Sequence, residues 1–209
     1  IRDSSGLLNV VGEHMNGLQM AGIANITASK LNGVQIALCN YATQARGLQI
    51  GLVNYYKEDM KGFQLGLVNA NPDTRVQMMV YGGNTTPANI GVRFKNQLFY
   101  TILGIGSMYQ GLNDKFSASA SYRAGLSFTL YKGLSISGDL GYQHIEAFDN
   151  KDEVIPKRLY ALQARANLEY QFTRKFGIFA TGGYGLTRFY NKSSNYDKGA
   201  IIEAGIVLF

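Results

Sequence analysis

The sequence predicts an all-β protein, a transmembrane antiparallel β-barrel of about twelve strands, within a range of about 12 to 14. In the second half of the chain, apolar and polar residues alternate over long segments, and the connections between these segments are short and long in turn. A short repeat in the first half extends the predicted barrel over the whole chain. We therefore expect one domain, 1–209, with a short-strand half at 6–74 and a long-strand half at 75–209.

Composition excludes several other classes of protein. The 209 residues include 25 Gly but only 3 Pro, and 16% are charged, against about 25% in typical domains. A disordered chain would carry more charge and fewer aromatic residues. No segment provides the roughly 20 apolar residues that a spanning helix needs. The lone cysteine, Cys39, excludes an intrachain disulfide and a multi-cysteine metal site.

Charge and chain start give two further expectations. The net charge of +6 is spread along the chain without a basic cluster, so no nucleic-acid partner is expected. The chain opens at Ile1 without Met, a basic segment or an apolar segment. We expect that a targeting segment was removed or that the natural chain starts upstream.

The alternation has a period of two, which is typical of strands with one apolar and one polar face. It runs through 116–130, 134–143 and 160–172, where Leu126, Leu140 and Leu168 lie on the apolar face. These strands exceed the five or six residues usual in soluble sheets. A soluble sandwich or lipocalin-like barrel is the alternative. The polar face of Ser and Gly favours a barrel with its apolar face toward lipid and its polar face toward the lumen.

The connections and aromatic residues agree with a barrel in a bacterial outer membrane. Residues 131–133 and 173–175 form tight turns, whereas 146–158 and 191–198 form longer polar loops, as in barrels with short periplasmic turns. Aromatic residues gather toward both strand ends and are predicted to form interfacial girdles. These girdle residues are Phe128, Tyr131, Tyr142, Tyr160, Tyr170, Phe172, Phe176, Tyr184 and Tyr190. The terminal Phe209 resembles the assembly signal of outer-membrane barrels.

The first half contains a repeat that ends in asparagine. Its copies cover 17–25, 33–40, 47–54 and 62–69, and each keeps Gly, Gln and Asn nearly in phase. This G-x-Q-[IL]-[GA]-x-x-N pattern resembles the surface-repeat outer-membrane proteins of Bacteroidetes and spirochaetes. The first copy departs from the pattern by one extra residue before Asn25. The resemblance implies an outer-membrane location and carries no established function.

Two arrangements of the repeats fit the spacing. In the favoured one, the repeats are antiparallel wall strands of one barrel, with Ile50 and Leu65 toward lipid. In the other, they stack as a parallel β-solenoid with rows of Gln and of Asn, followed by an eight-stranded barrel over 75–209. The favoured strands are 17–25, 33–40, 47–54, 62–69, 75–82, 89–95, 98–109, 116–130, 133–146, 158–172, 175–190 and 198–209.

Charged residues on the lumen-facing positions are the candidate functional residues. They are Arg93, Lys115, Arg123, Asp139, Arg165, Glu169 and Glu203. They form either a constriction for small or anionic solutes or a salt-bridge lattice that fills the lumen. The lattice is the favoured interpretation, since inward charges need partners.

Catalytic chemistry is not predicted. The only histidines are His14 and His144, and neither can be placed beside a nucleophile. The expected function is a non-enzymatic scaffold or accessory subunit of an outer-membrane assembly. The alternatives are a passive small-solute channel and, remotely, a lipid-modifying enzyme. No cofactor or metal is expected. The expected partners are outer-membrane lipids, with lipopolysaccharide outside, and other outer-membrane proteins.

Overall fold

The computed structural model describes residues 2–4, 6–107, 109–110, 112, 116–148, 158–190 and 195–208. The chain divides into two compact units, Ile1–Arg75 and Val76–Phe209. We call them the repeat unit and the barrel unit.

No helix within the described ranges has both the length and the apolar character needed to cross a membrane.

The repeat unit is a parallel β-solenoid. Its strands are β1 (Arg2–Ser4), β2 (Leu8–Val11), β3 (His14–Met20), β4 (Ala24–Ile36), β5 (Cys39–Ile50), β6 (Val53–Leu65) and β7 (Val68–Ala70). All of their pairings are parallel and join equivalent repeat positions, so that Gln35 pairs with Gln49 and Asn40 with Asn54. Each coil turns at two corners. The apolar corner comprises residues 21–23, 37–38, 51–52 and 66–67, and the polar corner comprises 28–30, 43–44 and 57–59.

The repeat motif crosses the apolar corner and is not one straight strand. In the copy at 47–54, β5 ends at Ile50 and β6 begins at Val53. The repeat glycines lie inside the strands before this corner: Gly17, Gly33, Gly47 and Gly62 all have φ between +119° and +147°. Side chains rarely adopt such φ values. A Cβ on Gly47 would also lie 2.0 Å from the carbonyl oxygen of Gly33.

The extra residue of the first copy lies at the apolar corner, in 21–23, and the other differences in repeat length are absorbed at the polar corner. The pairing register shifts between Thr27 and Lys30 and again between Ala42 and Gln44. Because these irregularities lie on the polar side, the Gly, Gln and Asn positions remain in register across the coils.

Two ladders of amide side chains fill the interior near the apolar corner. In one, the Nδ2 of Asn25, Asn40 and Asn54 donates to the Oδ1 of the next asparagine at 2.9–3.0 Å. In the other, Gln35, Gln49 and Gln64 each donate to the preceding glutamine at 2.8–2.9 Å. The ladder residues are buried. These in-register bonds link each coil to the next.

The predicted single barrel of about twelve strands, with the repeats in its wall, is therefore wrong. The second arrangement, an eight-stranded barrel preceded by a solenoid, is the one observed. The cause is the parallel pairing: side chains of one type can form continuous ladders only between parallel strands in register. Ile50 and Leu65 still point out of the solenoid, but they do not lie in the barrel wall.

The barrel unit is closed and antiparallel. Its strands are β8 (Arg75–Gly83), β9 (Ala88–Asn96), β10 (Phe99–Ser107), β11 (Ser117–Tyr131), β12 (Leu134–Ala147), β13 (Arg158–Thr173), β14 (Phe176–Phe189) and β15 (Asn195–Leu208). The ring closes through pairing of β15 with β8. These bounds lie within three residues of those predicted from alternation.

The long strands have the orientation that the alternation predicts. Leu126, Leu140 and Leu168 are 48%, 72% and 51% exposed on the outer surface, whereas Arg123 is 1% exposed inside. A water-soluble barrel would show the reverse distribution. The barrel unit has an apolar exterior and a polar, charged interior, as membrane barrels do.

Candidate functional site in the barrel interior

Six of the seven predicted lumen residues lie inside the barrel. Arg93 is on β9, Arg123 on β11, Asp139 on β12, Arg165 and Glu169 on β13, and Glu203 on β15, and all six are buried. The seventh, Lys115, lies outside the described residues. Alternation brings the six together because every second residue of each strand points inward.

The centre of the interior is an arginine clamp on one carboxylate. Arg123 donates from Nε to Asp139 Oδ1 at 2.8 Å and from Nη2 to Oδ2 at 2.7 Å. Asp139 also accepts from the Tyr100 hydroxyl at 2.8 Å and from Asn167 Nδ2 at 2.9 Å. A bidentate pair with added hydrogen bonds is the geometry that compensates buried charges.

A second clamp joins Arg93 to Glu169. Arg93 Nη1 and Nη2 donate to the two carboxylate oxygens at 2.6 and 3.0 Å, and Nε donates to Gln77 Oε1 at 2.7 Å. Each of the three guanidinium nitrogens therefore has a hydrogen-bond partner inside the barrel. These bonds hold the guanidinium in one position inside the barrel.

Glu203 contacts two arginines, Arg165 and Arg123. Its carboxylate is 3.2 Å from Arg165 Nε and 3.5 Å from Arg123 Nη1. Arg165 also donates to Gln163 at 2.6 Å. The Arg165 Nε is close enough for an ion pair, but its angle is too poor for a hydrogen bond, and Nη1 has no hydrogen-bond partner.

The described charges balance and leave little space. Three arginines face three carboxylates, so these six residues carry no net formal charge. The void beside Arg93, Arg123 and Asn167 has a volume of about 10 Å³, which is about the space of one water molecule. Because each of these three arginines contacts a carboxylate, the arrangement can hold a rigid interior together.

The sequence reasoning missed an apolar part of the interior. Met79, Tyr81, Tyr100, Ile102, Phe179 and Val207 form a buried cluster inside the barrel. Tyr100 belongs to both the cluster and the Asp139 network. The available signal was β10, where Tyr100 and Ile102 on one face are as apolar as Leu103 and Ile105 on the other. A strand that is apolar on both faces indicates burial on both sides.

The interior widens toward the ends of the strands that bear the longer loops. A cavity of about 320 Å³ lies there, lined by polar residues that include Asn84, Gln163, Asp197 and Lys198. Tyr109, which also lines this cavity, packs with Leu112 against Ile145 and Leu159. Burial raises the pKa of the Tyr109 phenol, so its hydroxyl remains neutral beside Thr187 Oγ1, 2.7 Å away. We call this cavity the vestibule.

The predicted girdle residues lie on the outer surface in two groups. At the tight turns, Tyr170 and Phe172 meet edge to face at 4.9 Å, and Phe172 stacks on Phe176 at 5.9 Å. At the loop ends, Tyr160 lies 5.0 Å from Tyr190 and 6.1 Å from Tyr142. Phe128, Tyr131 and Tyr184 are also exposed. Their role as membrane girdles stays a prediction. Phe209 lies outside the described residues.

His144 belongs to a polar cluster on the outer wall. Its Nδ1 is 2.7 Å from the Tyr190 hydroxyl, which also bonds to Tyr142, and its Nε2 is 3.4 Å from Glu146. Arg158 donates to the same Glu146. The hydrogen-bond and ion-pair partners of His144 described above are a tyrosine and a glutamate, neither of them a serine or cysteine nucleophile. In the described part of the chain, no group of three or more His, Cys, Asp or Glu residues could hold a metal.

An outer-wall concavity of about 1000 Å³ lies near the loop ends of β8 to β12. Small outward residues, including Ala88, Ser107 and Ala118, form its floor. Its lining includes none of the six charged lattice residues, which lie inside the barrel.

No family model matches the chain, and no curated protein matches it in sequence. The structure is similar to solved transmembrane barrels. The outer-membrane protein Ail of Yersinia pestis is 15% identical, with 65% of this chain and 99% of that chain covered and a TM-score of 0.40. Neisserial surface protein A is 9% identical, with 64% and 93% covered and a TM-score of 0.39. A designed transmembrane β-barrel is 13% identical, with 64% and 91% covered and a TM-score of 0.39.

Proposed function

We propose that this chain is an integral outer-membrane protein that works without catalysis, as a scaffold or accessory subunit of an outer-membrane assembly. The location is supported by the closed eight-stranded ring, its apolar exterior and its two exterior groups of aromatic residues. Closure removes every free strand edge, which a bilayer requires of a spanning sheet. Lipopolysaccharide and other outer-membrane lipids are the proposed lipid partners.

The scaffold role depends on one observation, the closed charged lattice. Arg93, Arg123 and Arg165 each contact a carboxylate, and the adjoining void holds about one water. A solute channel needs exchangeable partners along its path. Here the interior groups are bonded to each other, so the barrel serves as an anchor and the repeat unit is the remaining part that can bind partners.

Planar-bilayer recording tests the closed lattice. We expect the purified full chain to give no steady ohmic current, and an Arg123→Ala variant to give flickering conductance because one side of the lattice is removed. A stable, anion-selective current from the unaltered protein would overturn the scaffold proposal. Mild-detergent purification from native membranes supplies the second test, in which a stoichiometric protein companion is expected.

A passive channel is the second candidate function, and the 320 Å³ vestibule favours it. Asp197 and Lys198 at this mouth place both charge signs where small polar solutes would enter. Under this alternative the lattice would rearrange during passage, and the conductance of the unaltered protein would respond to Lys198→Gln. A lipid-modifying activity remains only a remote alternative.

Membership of the surface-repeat proteins of Bacteroidetes and spirochaetes is also proposed here. It is supported by the four in-phase Gly, Gln and Asn positions, which the solenoid uses at a positive-φ strand position and in two ladders.

A further inference from the structure

The repeat unit has an uncharged, apolar surface around its apolar corner. Five outward rows run across the coils there, and none contains a charged residue. The corner row consists of Leu7, Ile23, Leu38, Leu52 and Leu67, and all five are exposed. The flanking rows are Leu18–Val34–Leu48–Phe63, Met20–Ile36–Ile50–Leu65, Leu8–Ala24–Cys39–Val53–Val68 and Val10–Ile26–Tyr41–Tyr55–Ala70. An apolar surface of this extent on a folded unit indicates contact with something apolar.

The interior beneath this surface is polar. The Asn and Gln ladders lie directly inside the apolar rows, because Gln49 alternates with Leu48 and Ile50 along the strand. The asparagines also bond to main-chain carbonyls: Asn40 Nδ2 is 2.7 Å from the oxygen of Ile50. This half of the coil is therefore apolar outside and hydrogen bonded inside.

The other half of the coil has the opposite arrangement. Charged residues such as Lys30, Glu58 and Asp59 lie at or beside the polar corner. The interior on that side is an apolar cluster of Met15, Leu31, Ala42 and Ala45. This is the distribution of an ordinary water-soluble protein.

Many main-chain amides at the apolar corner bond to the neighbouring coil. The amides of Ala37, Gly51 and Leu52 donate to carbonyls of the neighbouring coil at 2.8–3.1 Å. Val53 and Val68 continue the same pattern. In hydrocarbon, a main-chain group without a partner costs several kcal/mol, so these bonds between coils lower the cost of placing this corner in lipid.

We propose that the repeat unit is itself a membrane element, which dips its apolar corner into the hydrocarbon of one leaflet and keeps its polar corner in water. This inference goes beyond the proposed function and rests on its membrane location. Each half of the coil then matches its solvent: hydrophobic burial holds the half in water, and hydrogen bonding holds the half in lipid.

The dimensions fit one leaflet. From the Leu48 row to the corner row at Leu52 is four residues, or about 13 Å at the usual strand rise. Half of a hydrocarbon core is about 15 Å. Tyr41 and Tyr55 stack with ring centroids 5.8 Å apart on the row farther from the corner. Tyrosine is enriched at this depth, at the membrane interface.

Lipid is favoured over a protein as the occupant for two reasons. The rows are uncharged, and their only polar side-chain groups are the Cys39 thiol and the Tyr41 and Tyr55 hydroxyls, with the tyrosines on the row farther from the corner. In addition, only residues 71–74 separate β7 from the first barrel strand, so covalent attachment keeps the repeat unit at a high effective concentration near the bilayer.

The native cysteine makes the test direct. Cys39 is the only cysteine of the chain and lies exposed within the apolar rows. The full chain is labelled at Cys39 with an environment-sensitive fluorophore and reconstituted in phosphatidylcholine vesicles with brominated acyl chains. We expect blue-shifted emission, quenching by the bromolipid and little quenching by aqueous iodide.

Two matched variants, both made with Cys39→Ala, calibrate the result. Gln44→Cys at the polar corner is expected to respond to iodide alone, and Ile202→Cys on the barrel wall to bromolipid alone. If Ile202→Cys fails to respond to bromolipid, the barrel is not in the bilayer and the proposed function fails. If it responds and Cys39 is quenched by iodide, only the present inference fails. Apolar emission at Cys39 without bromolipid quenching would mean that a protein surface covers it, which also overturns the inference.

Discussion

Arg123 and Asp139 lie on neighbouring barrel strands and share two hydrogen bonds of 2.8 and 2.7 Å in an interior where both side chains are almost fully buried. Strand pairing sets Gly125 opposite Asp139 and Arg123 opposite Gly141. The arginine therefore reaches diagonally past small residues to the carboxylate. A Cβ on Gly141 would lie 3.2 Å from Arg123 Cγ, so this glycine leaves room for the clamp.

Removing Arg123 should destabilise the barrel strongly. Arg123→Ala leaves Asp139 buried without its charge partner, at an expected cost of about 3–5 kcal/mol. Urea unfolding in lipid vesicles measures the change in the free energy of unfolding. The control is Arg158→Ala, which breaks an exposed pair with Glu146 and should cost less than about 1 kcal/mol. Equal losses in the two variants would contradict the structural role of the lattice.

A charge on the outer wall should be destabilising according to its depth. Leu168→Arg places a cation in the middle of the predicted lipid face, and we expect a loss of roughly 2–4 kcal/mol. Tyr131→Arg, at a tight turn, should cost about 0–1 kcal/mol, because an interfacial arginine can reach water. The same urea titration compares both variants. If depth makes no difference, these residues do not face a bilayer.

The asparagine ladder should contribute to the stability of the repeat unit. Asn54→Ala removes the bonds to Asn69 and to the Leu65 carbonyl, and removes one of the acceptors of Asn40 Nδ2. A loss of about 1–3 kcal/mol is expected for groups left unsatisfied. Limited proteolysis with urea reports unfolding of the repeat unit. Asn32→Ala, which removes one more exposed bond to Asn16, is the matched control and should change little. A larger effect at Asn32 would speak against the ladder.

The repeat glycines should not tolerate a side chain. Gly47→Ala requires a positive φ that alanine disfavours by about 1–3 kcal/mol, and its Cβ would overlap the Gly33 carbonyl. Gly12→Ala serves as the control, because nothing lies within 4 Å of its added Cβ. Circular dichroism melting compares the two. A Gly47 variant as stable as the Gly12 variant would show that the main chain at Gly47 is less constrained than its geometry indicates.

Sequence alternation was sufficient to predict the long barrel strands because each of them has one polar and one apolar face. The segment predicted at 158–172 is observed as Arg158–Thr173, and 133–146 as Leu134–Ala147. The period-two alternation, which we call parity, also placed Arg123 and Glu203 inside the barrel. It could not give their partners, since Arg123 contacts Glu203 across 80 positions of sequence. Parity also failed on β10, where Tyr100 and Ile102 point inward and are apolar.

The repeat was recognised, but its folding was not. A spacing of 14 to 16 residues fits two short antiparallel strands or one coil equally well, so periodicity alone did not decide. The deciding features were chemical. Identical amides at equal phase, such as Gln35 and Gln49, form ladders only in parallel register, and glycine at Gly47 permits a φ of +133°.

The parallel register described above has a consequence for how the gene can change. Asn40 and Asn54 occupy equivalent positions in successive coils, or turns, of the solenoid. Each turn contacts only its two neighbours. Excising residues 40–53 would join Cys39 to Asn54 and restore an intact motif, with every later turn unaltered. Unequal crossing-over between near-identical stretches could therefore lengthen or shorten this protein in whole turns while the barrel stays as it is.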